Sequence, residues 1–390
     1  MYRTRTERAQ AERKKRQQRR RLAMVVSGSL LMVTAMAAAV FQLVKPDGQV
    51  KAPVQPRVTT PNQPAPAGTG HSAAPQENTV RLNFVGDIMM DGHVETLLKE
   101  KGYPYPFVHV TGPFRQDDVT VANLETPFAV KGTPETNKEY VFNSPPEAIP
   151  AMKAAGVDLV NLANNHSMDQ GESGLVDTMK ILEENGIAYV GAGSDADRAY
   201  APVLLERNGV KIAFFGFSRV IPEVSWYAGK NKPGVAATYD PTKAVEAIRA
   251  VREQADLIVV VAHWGKEKTD YPVDHQKTLA RAYIEAGADL VVGGHPHVLQ
   301  GFESYRGKWI AYSLGNFVFT RSSHPKTWET MILQATCTKT GGCALKMMPH
   351  HAELGQAVPM NEADGAKLIK RIESISSGVQ IDEEGRVRTR

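Results

Sequence analysis

From about residue 79 onward, the chain alternates short apolar runs with amphipathic stretches, and this alternation limits its possible folds more than any other feature. The apolar runs are predicted strands at 80–85, 119–122, 157–162, 210–215, 257–262, 290–292 and 309–312. The amphipathic stretches are predicted helices at 146–155, 172–185, 241–254 and 274–286. A later strand pair is predicted at 331–336 and 344–348, followed by a helix at 362–377. Strands that alternate with helices in this way predict an α/β fold.

The N-terminal residues have a different composition. Residues 1–21 hold ten Lys or Arg and two acids, a net charge of +8, and residues 22–44 follow without any charge. A helix of 23 residues can cross a hydrocarbon core of ~30 Å, and the basic tail then stays in the cytoplasm. The alternative is a cleaved signal peptide, since Ala37-Ala38-Ala39 offers a small-residue cleavage site. We expect an uncleaved single-pass anchor in the cell membrane, with the C-terminal domain extracellular.

The segment after the anchor is rich in proline. Residues 45–78 contain seven prolines with Ala, Gln, Thr and Gly, which is typical of a semi-extended tether. The expected organisation therefore has five parts: a basic cytoplasmic tail (1–21), a transmembrane anchor (22–44), a linker (45–78), a main domain (79–325) and C-terminal strands and a helix that complete it (326–390).

The charge balance excludes one class of function. The whole chain carries +4 and the tail +8, so the residues after the apolar span carry about −4. No basic surface of the kind that nucleic-acid binding needs is left there. The absence of a G-x-G-x-x-G or Walker sequence likewise argues against nucleotide chemistry of those two kinds.

Polar clusters follow five of the predicted strands. They are Gly86-Asp87, Asn123-Leu124-Glu125, Asn164-Asn165-His166-Ser167-Met168-Asp169, His263-Trp264-Gly265 and His295-Pro296-His297. Loops at one end of an open α/β sheet build the sites of such folds, so these clusters can converge. Each alone has a structural explanation, such as a turn or a helix cap. Together, their Asp, Glu, Asn and His side chains form a mixed ligand set that suits Zn, Mn or Fe.

The segment His295-Pro296-His297 places two imidazoles at the end of an apolar run. Proline fixes its own φ and disfavours a helical conformation for the residue before it, so we expect both histidines on extended backbone. Residues i and i+2 of an extended chain point to the same side. The pair could therefore bind one ion or two adjacent ions.

These motifs resemble, in the same order, those of the CapA, or PgsA-like, capsule and poly-γ-glutamate biosynthesis proteins, a family related to calcineurin-like metallophosphoesterases. The resemblance covers about residues 80–320 and rests on Gly86-Asp-Ile-Met-Met90, Ala122-Asn-Leu-Glu125, Tyr140-Val-Phe-Asn-Ser-Pro-Pro-Glu147, Ala163-Asn-Asn-His-Ser-Met-Asp-Gln-Gly171, His263-Trp-Gly-Lys-Glu267, Gly294-His-Pro-His-Val298 and Ser313-Leu-Gly-Asn-Phe317. It implies a four-layer α/β sandwich of metallophosphoesterase type, preceded by one N-terminal transmembrane helix.

The resemblance also implies roles for individual residues. The implied metal ligands are Asp87, Glu125, Asn165, His263, His295 and His297. Among them Glu125 is the bridging carboxylate, and His166 and Asp169 are the catalytic residues, with His166 as general acid or oxyanion stabiliser. The implied cofactor is a divalent transition metal (Zn, Mn or Fe), as one or two ions that lower the pKa of a bound water.

The chain departs from the metallophosphoesterase pattern at its first strand. The usual Asp-x-His is replaced by Asp87-Ile88-Met89, and a hard cation gains little from a thioether. His93 is then either a substitute ligand or a surface residue. Glu125 replaces an aspartate and reaches one methylene further. A two-ion site, a single ion and a purely structural ion all stay open.

Three functions are compatible with these residues. The resemblance favours a membrane-anchored extracellular component of poly-γ-glutamate or capsule polymer synthesis or export. Its partners would be the membrane synthase subunits of a polymer-synthesis complex and the anionic polymer, with no nucleic acid. The first alternative is an outer-surface metal-dependent phosphoesterase, and the second is a non-catalytic module that binds an anionic polymer.

Cys337 and Cys343, the only cysteines, flank a predicted hairpin turn. An extracellular location would allow their thiols to oxidise. We therefore expect a short-loop disulfide rather than two free thiols.

Overall fold

The computed structural model describes residues 78–390, which form three β-sheets and eight α-helices. The tail predicted at 1–21, the anchor predicted at 22–44 and the linker up to residue 77 lie outside the described residues. Within residues 78–390, no helix combines the length and the apolar character needed to cross a bilayer.

The strands of the described residues are numbered along the chain. They are Thr79–Ile88 (β1), Val119–Leu124 (β2), Val157–Asn161 (β3), Ala188–Val190 (β4), Ala192–Gly193 (β5), Val203–Arg207 (β6), Val210–Ser218 (β7), Gly234–Val235 (β8), Leu257–His263 (β9), Leu290–Gly294 (β10), Phe302–Tyr305 (β11), Lys308–Ala311 (β12), Asn316–Val318 (β13), Glu329–Thr338 (β14), Cys343–Glu353 (β15), Gln356–Pro359 (β16), Val379–Ile381 (β17) and Arg386–Thr389 (β18).

The helices are His93–Lys101 (α1), Thr111–Phe114 (α2), Ala148–Ala155 (α3), Gly171–Glu184 (α4), Ala196–Tyr200 (α5), Thr242–Val251 (α6), Asp274–Ala286 (α7) and Glu362–Ser374 (α8). Every strand and helix predicted from the sequence coincides with one of these elements, with ends that differ by a few residues. The sequence pattern missed several shorter elements, among them α1 and the strands β16 to β18. The α/β fold class is thus confirmed.

Two large mixed sheets contain most of the strands. The ten-stranded sheet has the order β17–β18–β15–β14–β1–β2–β3–β4, with β13 paired to β1 and β16 paired to β15. The six-stranded sheet has the order β11–β12–β10–β9–β7–β6. Strands β1 to β4 are mutually parallel, as are β7, β9, β10 and β12. Each parallel set therefore ends at one edge of its sheet, where its loops can meet.

Apolar side chains cover both faces of both large sheets. One cluster includes Phe84 and Val121 of the ten-stranded sheet with Phe214 and Val259 of the six-stranded sheet, and so joins the two. A second cluster includes residues of α3 and α4 with the ten-stranded sheet, and a third includes residues of α6 and α7 with the six-stranded sheet. Strands buried on both faces read as continuous apolar runs, which is why the sequence pattern located them.

The hairpin of β14 and β15 carries the two cysteines. Cys337 and Cys343 are cross-strand neighbours, and a disulfide joins them. The expected pairing is therefore confirmed.

Candidate metal centre

Strand register brings the polar residues into line at the carboxyl ends of the parallel strands. In the ten-stranded sheet, Asp87 of β1 lies opposite Asn123 of β2, which lies opposite Asn161 of β3. The Nδ2 of Asn123 donates to Asp87 Oδ1 at 2.8 Å, and the Nδ2 of Asn161 donates to Asn123 Oδ1 at 3.0 Å. In the six-stranded sheet, His263 lies opposite Gly294. Asn123 Nδ2 also lies 3.2 Å from His263 Nδ1, so the two sheets meet at this point.

Glu125 occupies the middle of the cluster. It follows β2, and its N–H donates to the carbonyl of Ile88 at 2.9 Å, which fixes the backbone beyond the strand end. The side chain is fully buried, and neither carboxylate oxygen has a hydrogen-bond partner. Glu125 Oε1 lies 3.5 Å from His263 Nε2 and 3.8 Å from His297 Nε2. A buried carboxylate without a donor is costly, so this position favours a cation.

The two adjacent asparagines after β3 have different roles. Asn164 stabilises the loop, because its Nδ2 donates to the carbonyl of Leu124 at 2.8 Å and its Oδ1 accepts the N–H of His166 at 3.0 Å. Asn165 instead reaches the cluster, where its Oδ1 lies 2.7 Å from His263 Nε2. Neither asparagine caps the helix that follows, because the N-cap residue of α4 is Gln170. Asn164 holds the loop in place, and Asn165 is the one that lies at the cluster.

The expectation of extended backbone at His295 and His297 is wrong. Both residues have positive φ, 92° and 55° respectively. The chain turns sharply after Gly293 and Gly294, and side chains in this left-handed region carry strain that the surrounding structure must hold. The two imidazoles still face one cluster, with ring centroids 5.8 Å apart, but tertiary packing rather than strand alternation places them there.

Two overlapping groups of side chains have the geometry to hold an ion. Glu125, His263 and His295 form one group, and Asp87, Glu125 and His297 form the other. Within each group the ligand atoms lie within 4.8 Å of one another. Glu125 is common to both, as expected of a bridging carboxylate. With Asn165 beside His263, all six predicted ligands lie together.

The two predicted catalytic residues lie beside this cluster and contact each other. His166 Nδ1 is 2.7 Å from Asp169 Oδ2, and Asp169 is fully buried. Asp169 Oδ2 also accepts the N–H of Phe142 at 2.8 Å, and the Phe142 ring lies 4.4 Å from the imidazole of His166. The carboxylate and the aromatic ring together fix the orientation of His166.

Lys138 is a further residue of this site that the sequence analysis did not identify. Its Nζ donates to the Asp169 carboxylate and to the carbonyl of Asn165 at 2.6 Å, and it lies 3.2 Å from His166 Nδ1. The same ammonium lies over the ring of Trp226 at 5.0 Å. Burial lowers the pKa of Lys138, and the charge of Asp169 opposes that shift. The only indication of this role in the sequence was a lysine two positions before the motif that begins at Tyr140.

Burial and mutual charge shift the pKa values within the cluster. Burial by itself would lower the pKa of His297, but the charge of Glu125 and the hydrogen bond to Asp87 raise that pKa to about 10. Burial would raise the pKa of Glu125, but the charges of His297 and His263 lower it below its usual range. For His295, burial and the charge of His263 lower the pKa well below 6.5. Glu125 is thus an anion and His295 a neutral imidazole, the forms that bind metals, whereas His297 carries a proton that it must release before it can bind an ion.

Met89 stands at the position of the usual first-strand histidine, and His93 is the residue that could substitute for it. Both side chains are directed away from the cluster. Met89 is 2% exposed, and its sulfur accepts the N–H of Asp91 at 3.2 Å. His93 is exposed at the start of α1, and the two candidate groups found among residues 78–390 do not include it. The surface interpretation of His93 is the one that the structure supports.

The residues present fit a divalent ion. The two unpartnered oxygens of Glu125 and the unpartnered Nδ1 of His295 are buried at the same place. Imidazole nitrogens with carboxylate and amide oxygens form the donor set of a borderline transition ion. Asn123 and Asn316 complete the surroundings, since Asn316 Oδ1 lies 2.9 Å from His297 Nδ1. The sequence could have indicated Asn123 as a residue of this site, because it precedes Glu125 by two positions and residues i and i+2 of an extended chain point to the same side.

Known proteins resemble the chain over most of its length. Residues 81–321 match the family model described as "Bacterial capsule synthesis protein PGA_cap". The PGA biosynthesis protein CapA of Bacillus subtilis (strain 168) is 36% identical over 285 residues, which cover 73% of this chain and 74% of that protein. The capsule biosynthesis protein CapA of Bacillus anthracis is 34% identical over 295 residues, which cover 74% and 71%.

A probable polyglutamine synthesis accessory protein of Mycobacterium tuberculosis (strain CDC 1551 / Oshkosh) is 33% identical over 276 residues, which cover 66% of this chain and 72% of that protein. The family model covers more than half of the chain, and two relatives above 30% identity each cover more than two thirds of it. The chain therefore belongs to the PGA_cap family of bacterial capsule synthesis proteins.

Proposed function

We propose that this chain is a membrane-anchored, extracellular component of poly-γ-glutamate or capsule polymer synthesis or export, with a metal-dependent phosphoesterase-like site. The cofactor is a divalent transition ion, Zn, Mn or Fe. The described domain is a four-layer α/β sandwich of metallophosphoesterase type. Its partners are membrane synthase subunits and the anionic polymer that they produce.

The main observation in favour of a metal-dependent site is that the carboxylate of Glu125 has no hydrogen-bond partner. Both of its oxygens are buried without a donor, and His263, His295 and His297 lie around it. A buried carboxylate that accepts no hydrogen bond destabilises a fold, so the cluster is better explained as a cation site than as ordinary polar packing.

The chain's own residues can move a proton at this site. A divalent ion held here would polarise a phosphoryl oxygen and acidify a bound water. Because His166 Nδ1 is bonded to Asp169, its Nε2 is the nitrogen left to exchange a proton with a substrate. Phe142 covers one face of the imidazole and so restricts its rotation.

Two features support an extracellular location. Ten basic residues precede the uncharged span at 22–44, which predicts a cytoplasmic tail and an exterior domain. The Cys337–Cys343 disulfide is of a kind that persists in oxidising surroundings. Protease added to intact protoplasts should remove the domain, and a protected domain would contradict this topology.

The catalytic test combines metal analysis with hydrolysis of a chromogenic phosphodiester. The purified chain should retain a transition ion and turn the ester over. Glu125→Ala should lose both properties, whereas His166→Ala should keep the ion and lose turnover by about 10²-fold or more. His109→Ala, at an exposed histidine outside the cluster, is the matched control. Retained turnover in Glu125→Ala would refute the site.

The biological test is polymer production in cells that lack the protein. Reintroduction of the wild-type chain should restore the polymer, and Glu125→Ala should not. Restoration by Glu125→Ala would show that polymer synthesis uses other surfaces of the domain. Saturable binding of the polymer without any turnover would instead indicate the non-catalytic module.

A further inference from the structure

We infer that the two candidate ion positions are unequal, with one resident transition ion and one exchangeable ion. This inference rests on the metal centre of the proposed function. The histidine-rich position consists of Glu125, Asn165, His263 and His295. The carboxylate-rich position consists of Asp87, Glu125 and His297.

The two positions differ in the number and kind of their donors. The histidine-rich position offers two imidazoles, an amide oxygen and a carboxylate, which is a complete tetrahedral set for a borderline transition ion. The carboxylate-rich position offers two carboxylates and one imidazole, and Glu125 is shared. Three mainly oxygen ligands suit Mg²⁺ or Mn²⁺, which keep several waters and bind proteins more weakly.

Hydrogen bonds within the protein reinforce this difference. His295 Nδ1 at the histidine-rich position is buried without any partner. Asp87 at the carboxylate-rich position already accepts Asn123 Nδ2 at 2.8 Å on Oδ1, and the N–H of His295 at 3.3 Å on Oδ2. An ion at the first position satisfies a buried nitrogen that has no partner, and it replaces the 2.7 Å contact of His263 Nε2 with Asn165 Oδ1. An ion at the second position binds a carboxylate that is already partly satisfied by hydrogen bonds, and so gains less.

The residue at the place of the usual first-strand histidine does not complete the carboxylate-rich position. Met89 lies two residues beyond Asp87, but its sulfur accepts the N–H of Asp91 at 3.2 Å. Among residues 78–390, no fourth His, Cys, Asp or Glu joins Asp87, Glu125 and His297 in this group. Water or a substrate oxygen must fill the remaining coordination. The second ion is therefore exchangeable, and the concentration of divalent cation around the protein sets its occupancy.

The test is metal stoichiometry and affinity of the purified full chain. After dialysis against metal-free buffer without chelator, about one transition ion per chain should remain. Mn²⁺ added to the zinc-loaded protein should then bind one further position, at least about 100-fold more weakly, as followed by electron paramagnetic resonance.

Matched variants assign the two ions. His295→Ala should lose the resident ion. His297→Ala should keep it and lose the added Mn²⁺, and the exposed His109→Ala should change neither. If His297→Ala loses the resident ion as readily as His295→Ala does, the assignment is overturned.

The remaining outcomes separate this inference from the proposed function. Two ions retained with equal affinity would overturn the inequality and leave the proposed function standing. One retained ion with no hydrolysis and no effect on polymer would support the inequality and remove the proposed function. A chain that binds no ion under any of these conditions would overturn both.

Discussion

Lys138→Met should destabilise the protein, because Lys138 is one of three donors to a carboxylate that has no access to water. Asp169 is 0% exposed at its side chain and Lys138 is 13% exposed. The other two donors to Asp169 are the N–H of Phe142 at 2.8 Å and His166 Nδ1 at 2.7 Å. Methionine nearly preserves the length of the side chain, so the change removes mainly the charge.

The expected loss follows from these contacts. Removal of one partner from a buried ion pair typically costs ~3–5 kcal/mol. Two donors to Asp169 remain, and the variant no longer buries an ammonium, whose pKa is lowered by burial in the native protein. The loss should therefore lie at the lower end, at about 3 kcal/mol.

Denaturant unfolding followed by circular dichroism measures this difference. Lys180→Met is the matched control, since Lys180 is 68% exposed and its partner Glu184 lies 3.6 Å away at the surface. That variant should unfold like the wild type. Lys138→Arg should recover part of the loss because it restores the cation. A loss below about 1 kcal/mol for Lys138→Met would refute the buried pair.

Three further predictions concern other parts of the domain. Burial raises the pKa of Asp117 from 3.8 to about 7, so between these pH values the folded state binds a proton that the unfolded state does not. The free energy of unfolding therefore falls as pH rises from about 4 to about 7. Asp117→Asn should remove this pH dependence and stabilise the protein by about 1–2 kcal/mol at pH 8, a modest gain because Asp117 is partly exposed and solvent screens its charge. A pH slope unchanged in the variant would contradict the assignment. Gly294→Ala places a methyl group 2.7 Å from Asp87 Oδ1 and should weaken Mn²⁺ binding at the carboxylate-rich position about tenfold. Titration of the zinc-loaded variant with Mn²⁺ measures this change, and unchanged binding would show that Asp87 is not a ligand. The double variant Cys337→Ala/Cys343→Ala should lose about 2 kcal/mol in denaturant unfolding, and two free thiols in the unreduced wild type would exclude the disulfide.

Local patterns in the sequence were sufficient for the main elements and pointed to most of the candidate ligand residues. Strands buried on both faces must be continuously apolar, so β1, β2, β9 and β10 could be located directly. Polar residues that end parallel strands of one sheet then lie at a common edge of that sheet. This is why the sequence was enough to predict that Asp87 and Glu125 lie close together, whereas His263 ends a strand of the other sheet and reaches them only where the two sheets meet.

Local rules failed where the backbone is strained. The conformational preference of a residue before proline predicts extended chain at His295, but φ there is 92°. Tertiary hydrogen bonds hold the loop between β10 and β11 instead, since the N–H of His295 donates to Asp87 Oδ2 and the carbonyl of Pro296 accepts the N–H of Lys268. Tertiary contacts therefore determined the direction of both imidazoles.

The sequence by itself determined the α/β fold, the strand ends that carry the candidate ligands and the cysteine pair, because these depend on periodicity and on neighbours close in the chain. Only the tertiary structure decided that Lys138 joins the site. Lys138 lies in a loop without any periodic pattern, and it binds Asp169, which is 31 positions further along the chain. The tertiary structure also decided that Met89 turns away and that Glu125 is left without a donor. Hydrogen-bond satisfaction in a buried cluster depends on every group that packs there, and no single segment of the chain contains that information.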